Sequence, residues 1–198
     1  MLDLLLDHRE MIHKADAAEK APEEAMTGGE ASRGTVAVSG SHPLLAAASR
    51  NQLSTVKKLL GRGGSLDVVD ETMGHSAIHM AANRGHFEVV RTLLEANMSP
   101  NGADNRGYTP LAVACFTGRL EVVRLLLEAK AEAEIRIEDP PHGPYTPLSL
   151  ACRKQRVEVI KALLEHGAEP DKRCVSYAED HGDEELVAAL TAKIGRGA

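Results

Sequence analysis

Between residues 120 and 129 the chain reads LEVVRLLLEA, and Leu120, Val123, Leu126 and Leu127 fall at the spacing that lines one face of a helix. The pattern is not used once. Residues 107–134 read GYTPLAVACFTGRLEVVRLLLEAKAEAE, residues 145–169 read YTPLSLACRKQRVEVIKALLEHGAE, and residues 75–99 read HSAIHMAANRGHFEVVRTLLEANMS. Each copy predicts a first helix rich in small residues and a second, amphipathic one. With the apolar residue after the Thr-Pro position as register mark, Leu44, Ile78, Leu111 and Leu148 are separated by 34, 33 and 37 residues. A degenerate fifth copy, RCVSYAE at 173–179, lies only 27 residues on, from Ala151 to Ala178. Its connecting hairpin is expected to be missing.

The repeated phrase has a physical logic. Thr109 and Thr146 are suited to cap helices, because a hydroxyl can accept from the free N–H groups of the first turn. Pro110 and Pro147 follow at the first helical position, where the missing N–H costs nothing. Small pairs, Ala81–Ala82, Ala114–Cys115 and Ala151–Cys152, let neighbouring helices approach. The first helix should stop at the position held by Asn51, Gly85, Gly118, Gln155 and Gly182, where Gly and Asn tolerate a left-handed backbone. Gln155 departs from that pattern and should carry strain of about 1 kcal/mol. One such helix pair cannot bury its apolar faces alone, whereas stacked pairs can. The position held by Leu53, Phe87, Leu120 and Val157 becomes Glu184 in the fifth copy, which suits a polar terminal cap.

A period near 33 with a Thr-Pro-Leu-His-x-Ala phrase resembles the ankyrin repeat family. The copies here stand as HPLLAAA at 42–48, SAIHMAA at 76–82, TPLAVAC at 109–115 and TPLSLAC at 146–152. The resemblance covers residues 42–195. It implies an all-α ankyrin-repeat solenoid of stacked helix-turn-helix pairs with short β-hairpin-like loops, comprising four repeats plus a truncated C-terminal cap. Ahead of it, residues 21–41 are rich in Gly, Ala, Ser and acids and read as a flexible linker. Within residues 1–20, Leu2, Leu5, Leu6 and Met11 or Ile12 form an amphipathic helical pattern. LDLLLDH at 2–8 is similar to IKALLEH at 160–166, so this helix reads either as half a repeat capping the first pair or as an independent helix.

Composition narrows the function. The chain is 43% hydrophobic but only 3% aromatic, with no Trp, so its core must be Leu, Ile, Val and Ala. A net charge of −6 argues against nucleic acid as the partner. Three widely spaced Cys make no disulfide framework and point to a reducing compartment, cytoplasmic or nuclear. No apolar run is long enough to span a membrane. The start, MLDLLLDHREM, carries Asp3 and Asp7 and fits neither a signal nor a transit peptide.

No chemistry-bearing constellation emerges. His75, His79 and His86 lie close in sequence, but the resemblance places His79 in a structural slot, and no metal-ligand pattern joins them. Cys115 and Cys152 share a slot that otherwise holds Ala and read as small buried thiols. Neither enzyme activity nor a cofactor is expected. Asn101 matches the hairpin Asn that asparagine hydroxylases modify in some ankyrin proteins, and otherwise reads as a turn former.

The resemblance implies that a partner protein binds the concave side, formed by the hairpin tips and the exposed side of the first helices. The scaffold leaves Arg50, Arg84, Arg106, Arg153 and Lys154 free there, in a net acidic chain. Tyr108, Phe116 and Tyr145 are expected at the centre of this basic strip, since aromatics and Arg dominate interface hot spots. The hairpin at 132–147 is four residues over the period and adds His142. The partner expected is a protein segment that is acidic with apolar anchors, bound by a non-catalytic adaptor or inhibitor that is a monomer alone. The alternative is a structural subunit of a larger assembly, anchored by its N-terminal arm.

Overall fold

The computed structural model describes residues 36–38, 42–138 and 144–195. The expected N-terminal helix within 1–20, and His142, lie outside the described residues. The elements run β1 (Val36–Val38), α1 (Pro43–Ser49), α2 (Leu53–Gly61), β2 (Val68–Asp70), α3 (Ala77–Arg84), α4 (Phe87–Glu95), α5 (Pro110–Thr117), α6 (Leu120–Glu128), α7 (Pro147–Arg153), α8 (Val157–Glu165), α9 (Lys172–Glu179) and α10 (Glu184–Ile194). Odd- and even-numbered helices form two rows, in which neighbours pack from α1 to α9 and from α2 to α8, each helix also packing on its partner within the repeat; α10 reaches α8 through Lys193 Nζ, which donates to the Leu164 carbonyl at 2.6 Å. The odd row carries the small residues and packs more closely than the even row.

The local signals act as their chemistry requires. Thr109 Oγ1 accepts from the Ala112 N–H at 3.3 Å and Thr146 Oγ1 from the Ser149 N–H at 3.1 Å. Each is followed by Pro at the first helical position. The amphipathic helices bury Val89, Val90 and Leu93, then Val122, Val123 and Leu126, then Val159, Ile160 and Leu163. These join Ala81, Ala114 and Ala151 of the odd row in one apolar core that continues from Leu44 to Leu190.

All five expected stop positions adopt positive φ: Asn51 at 58°, Gly85 at 79°, Gly118 at 77°, Gln155 at 54° and Gly182 at 71°. The reason only some are Gly lies in the next repeat. A Cβ on Gly85 would sit 2.9 Å from Arg119 Cδ, and one on Gly118 would sit 2.6 Å from Arg156 Cδ. Arg119 also donates from Nε to the Asn83 carbonyl at 3.1 Å, and His86 Nε2 lies 2.9 Å from the Ser49 carbonyl in the corresponding place. An arginine therefore lies back over the preceding glycine. In the cap that residue is Asp183, whose carboxylate accepts from its own helix at the Leu186 N–H. No arginine then covers Gln155, which keeps its side chain.

Two features differ from the sequence expectation. Val36–Val38 fall inside the segment read as a linker, yet they form a strand paired in parallel with β2, Val36 opposite Val68 and Val38 opposite Asp70. The offset of 32 residues is about one period, so β1 stands as the finger strand of the first repeat. The unpaired edge of β2 offers its backbone groups to it. In the fifth copy α9 begins at Lys172 because Asp171 caps it, accepting from the Cys174 N–H at 2.9 Å. No strand lies between α8 and α9, where the hairpin was expected to be missing.

Candidate functional site

The residues in slots that the repeat does not dictate do not all stand where a uniform strip would put them. Arg50 is exposed at the end of α1, and Arg84 is half-buried in the last turn of α3. Helix C-termini favour cations by about 0.3–1 kcal/mol, which accounts for a base recurring there. Arg106 sits in the third finger with its guanidinium 5.4 Å from the Tyr108 ring centre.

The tyrosines are corrected by the structure. Tyr108 is 8% exposed and Tyr145 3% exposed. Together with Ile137, Ala112, Val113 and Leu150 they form a second apolar cluster, with Phe116 packed at its margin. Ile137 and Tyr145 exchange two backbone hydrogen bonds of 2.8 Å, which close the long hairpin and press the Tyr145 ring inward. These phenol rings fill the space between fingers and first helices. Of the three, Phe116 alone is half-buried rather than buried.

Around that margin four of the expected residues do meet. Arg153 places its guanidinium 4.4 Å from the Tyr145 ring centre and 5.5 Å from that of Phe116. Lys154 Nζ lies 4.7 Å from the Phe116 centre. Phe116 and Arg153 hold equivalent positions in adjacent repeats, so the contact follows from stacking one odd helix on the next. Arg173 joins them with its guanidinium 5.3 Å from Tyr145. It is braced by the Pro144 carbonyl and by Asp171, 3.0 Å away. Sequence reasoning missed Arg173 because α9 starts earlier than the Ala151-to-Ala178 step predicts; an Asp two residues before it was the signal.

Electrostatics single out the same corner. Burial, then the like charges of Arg153 and Arg156, hold the Lys154 ammonium below its ordinary range. Neither Arg153 nor Lys154 has a carboxylate partner among the described residues, whereas Arg91 and Lys161 are each paired within their own helix.

The histidines belong to the scaffold. His79 is 2% exposed. Its Nδ1 accepts from the Ser76 N–H at 3.3 Å, and Nε2 donates to the Tyr108 carbonyl at 3.0 Å. Burial, and then neighbouring His75, lower its pKa to about 4. His75 joins two fingers, its Nε2 3.1 Å from Asp104 and its Nδ1 3.7 Å from Asp70. Burial alone would raise the Asp104 carboxyl. Hydrogen bonds from His75 and from the Tyr108 and Arg106 N–H groups outweigh it and hold the pKa below the usual range. Among the described residues no His, Cys, Asp and Glu side chains converge as a metal site. Asn101 bridges to the next finger, accepting from the Glu132 N–H at 2.9 Å.

Cys115, Cys152 and Cys174 are free thiols buried in the core. Burial pushes the Cys115 thiol far up, and the adjoining Cys152 thiol, then burial, do the same for Cys174. A cleft of about 210 Å³ lined by Cys152, Tyr177 and Leu186 lies where the last full repeat meets the cap.

Stacked helix pairs, left-handed stops and finger hairpins define a class of repeat scaffold. Two models of one family match the chain: "Ankyrin repeats (3 copies)" over residues 44–139 and "Ankyrin repeat" over residues 143–172. The chain belongs to the ankyrin repeat family, whose repeats are protein–protein interaction modules. Among the described residues no helix is long and apolar enough to cross a membrane.

Proposed function

We propose that this protein is a non-catalytic binding module that holds a partner protein against the odd-helix and finger side of the stack. The corner formed by Phe116, Arg153 and Lys154 is its centre. One observation carries this reading. Two adjacent cations are held on the face of one half-buried ring, without a carboxylate of their own among the described residues, in a chain with 29 acidic side chains against 23 basic. A partner segment that brings acidic groups and an apolar anchor completes both halves of that surface. Arg50, Arg84 and Arg106 extend the attraction along the stack. Three cysteines kept as thiols support a reducing, cytoplasmic or nuclear setting. The module acts as a monomer until it binds.

The test compares capture from lysate by the wild type and by a Phe116→Ala/Arg153→Gln/Lys154→Gln variant, with helical content and melting checked for each. Tyr108 and Tyr145 are left intact because their removal would damage the fold. Proteins bound by the wild type should be lost from the variant, and the surviving interaction should depend less on salt. An unchanged capture profile would reject this corner. If the profile also collapsed on removing residues 1–35, the reading as a subunit anchored by an N-terminal arm would replace it.

A further inference from the structure

The corner around Phe116 is more specific than a basic patch. The Arg153 guanidinium carbon lies over two rings, 4.4 Å from the centre of Tyr145 and 5.5 Å from that of Phe116, a contact that engages its cation and leaves its N–H groups to donate. Lys154 is held over the Phe116 ring by the same neighbour. Long cationic side chains normally lose rotamer freedom when they bind. Here packing has already restricted both.

The local charge is also definite. Arg173, the third cation on these rings, is neutralised by Asp171 at 3.0 Å. Arg153 and Lys154 therefore present two positive charges, neither paired with a carboxylate among the described residues. Arg156, the next cation along, adds its field to theirs and lies with its stem against Gly118. One carboxylate would leave this corner positive. A phosphomonoester carries about −1.5 to −2 at neutral pH and offers three acceptor oxygens to a forked guanidinium and a point-like ammonium.

We propose that Arg153 and Lys154, seated on Phe116 and Tyr145, form the docking site for a phosphorylated side chain of the partner segment. The proposal rests on the binding reading above and adds the chemistry of its anchor. Phosphate oxygens take the N–H edge of Arg153 and the Lys154 ammonium. The exposed part of Phe116 receives an apolar side chain beside the phosphorylated residue. Two neighbouring cations on one ring suit one compact dianion. They are too few to track a nucleic-acid backbone, where affinity comes from many phosphate contacts.

The experiment presents the full chain, immobilised, with degenerate peptide pools. Pools with a fixed phosphoserine, phosphothreonine or phosphotyrosine are compared with pools fixed at Glu and at unmodified Ser. At least one phosphorylated pool should be retained about tenfold more strongly than the Glu and Ser pools, the gain expected of added charge-assisted hydrogen bonds. An Arg153→Gln/Lys154→Gln variant with unchanged melting should lose that retention, and a Lys154→Arg variant should keep it. Equal retention of the Glu and phosphorylated pools would overturn the phosphate assignment while leaving an acidic partner in place. Retention of the phosphorylated pools by the double variant, or by neither protein, would also overturn it. The lysate comparison then judges the broader reading independently.

Discussion

Acidification should unlock the stack through His79. This imidazole is neutral in the fold, with its Nε2–H committed to the Tyr108 carbonyl and its Nδ1 to the Ser76 N–H. Protonating Nδ1 would forfeit the Ser76 N–H bond and place a cation in the core with the Ser76 hydroxyl oxygen, 2.8 Å away, as its acceptor. The folded pKa is about 4, against an ordinary 6.5. The unfolded chain therefore binds more protons between those values, and stability falls as pH falls through them. The loss is about 1.4 kcal/mol by pH 5.5 and about 3 kcal/mol by pH 4, relative to pH 7.5. Asp70 and Asp104, whose carboxyls lie below their ordinary range, add their own loss only under more acidic conditions. The window from pH 6.5 to 4.5 thus keeps the carboxylates out, leaving His79 and His42, whose pKa burial also lowers. The assay is urea unfolding followed by helical signal across that window, for the wild type and for His79→Gln. The variant starts less stable because it gives up native hydrogen bonds, but its curve should be flatter by about 1 kcal/mol per pH unit. Contributions from the other histidines cancel in the difference. Parallel curves, or a folded-state His79 resonance titrating near 6.5, would refute the reasoning.

Other outcomes follow from single positions. Gln155→Gly should stabilise the protein by about 1 kcal/mol in thermal or urea unfolding, because the φ of 54° then suits its residue and no side chain covers it. Gly118→Ala should destabilise by about 1–2 kcal/mol in the same measurement, since its φ is 77° and the new methyl meets Arg156. Tyr145→Ala should cost about 3 kcal/mol by urea unfolding because the ring is buried. Phe116→Ala should cost about 1 kcal/mol there and show itself mainly in binding. Cys115 and Cys152 should react slowly with a thiol reagent in native buffer and rapidly in denaturant, and replacing both by Ala should leave partner capture intact.

The repeat was legible because its signals are local and redundant. Thr-Pro fixes a helix start, a left-handed position fixes its end, and apolar spacing fixes the face of the second helix. Two copies carry Thr-Pro and the others a variant of it, His42–Pro43 and Ser76–Ala77, while the stop and the apolar spacing recur in all four, so Leu44, Ile78, Leu111 and Leu148 declare the period without a structure. The candidate site was legible only in part. The slots of Phe116, Arg153 and Lys154 follow from register, and stacking brings them together. The fates of Tyr108 and Tyr145 do not follow, because an aromatic before Thr-Pro can point either way. Here Ile137 decides it by pairing with Tyr145 across the long hairpin. Arg173 was hidden for a different reason: its place depends on Asp171 capping a helix whose start the repeat period misplaces. The β1 strand lies in a Gly- and Ser-rich stretch, and only pairing with a neighbour one period away makes it a strand.

The backward reach of His86 and Arg119 gives the stack a polarity. At this seam, the helix stop, each repeat from the second to the fourth brings the side chain that lies over its predecessor, and the predecessor contributes a carbonyl or a bare glycine. Shortening the protein from its C-terminal end would therefore expose acceptors that water satisfies at little cost. Shortening it from the other end would strand a charged arm with nothing beneath it. Growth is equally one-sided. A new module could be appended after Gln155 or Gly182 if it came with its own arginine, and Gln155 would then have to become glycine to receive it. In this chain the sequence at one seam records the identity of the next unit, so the order of repeats is written into their joints.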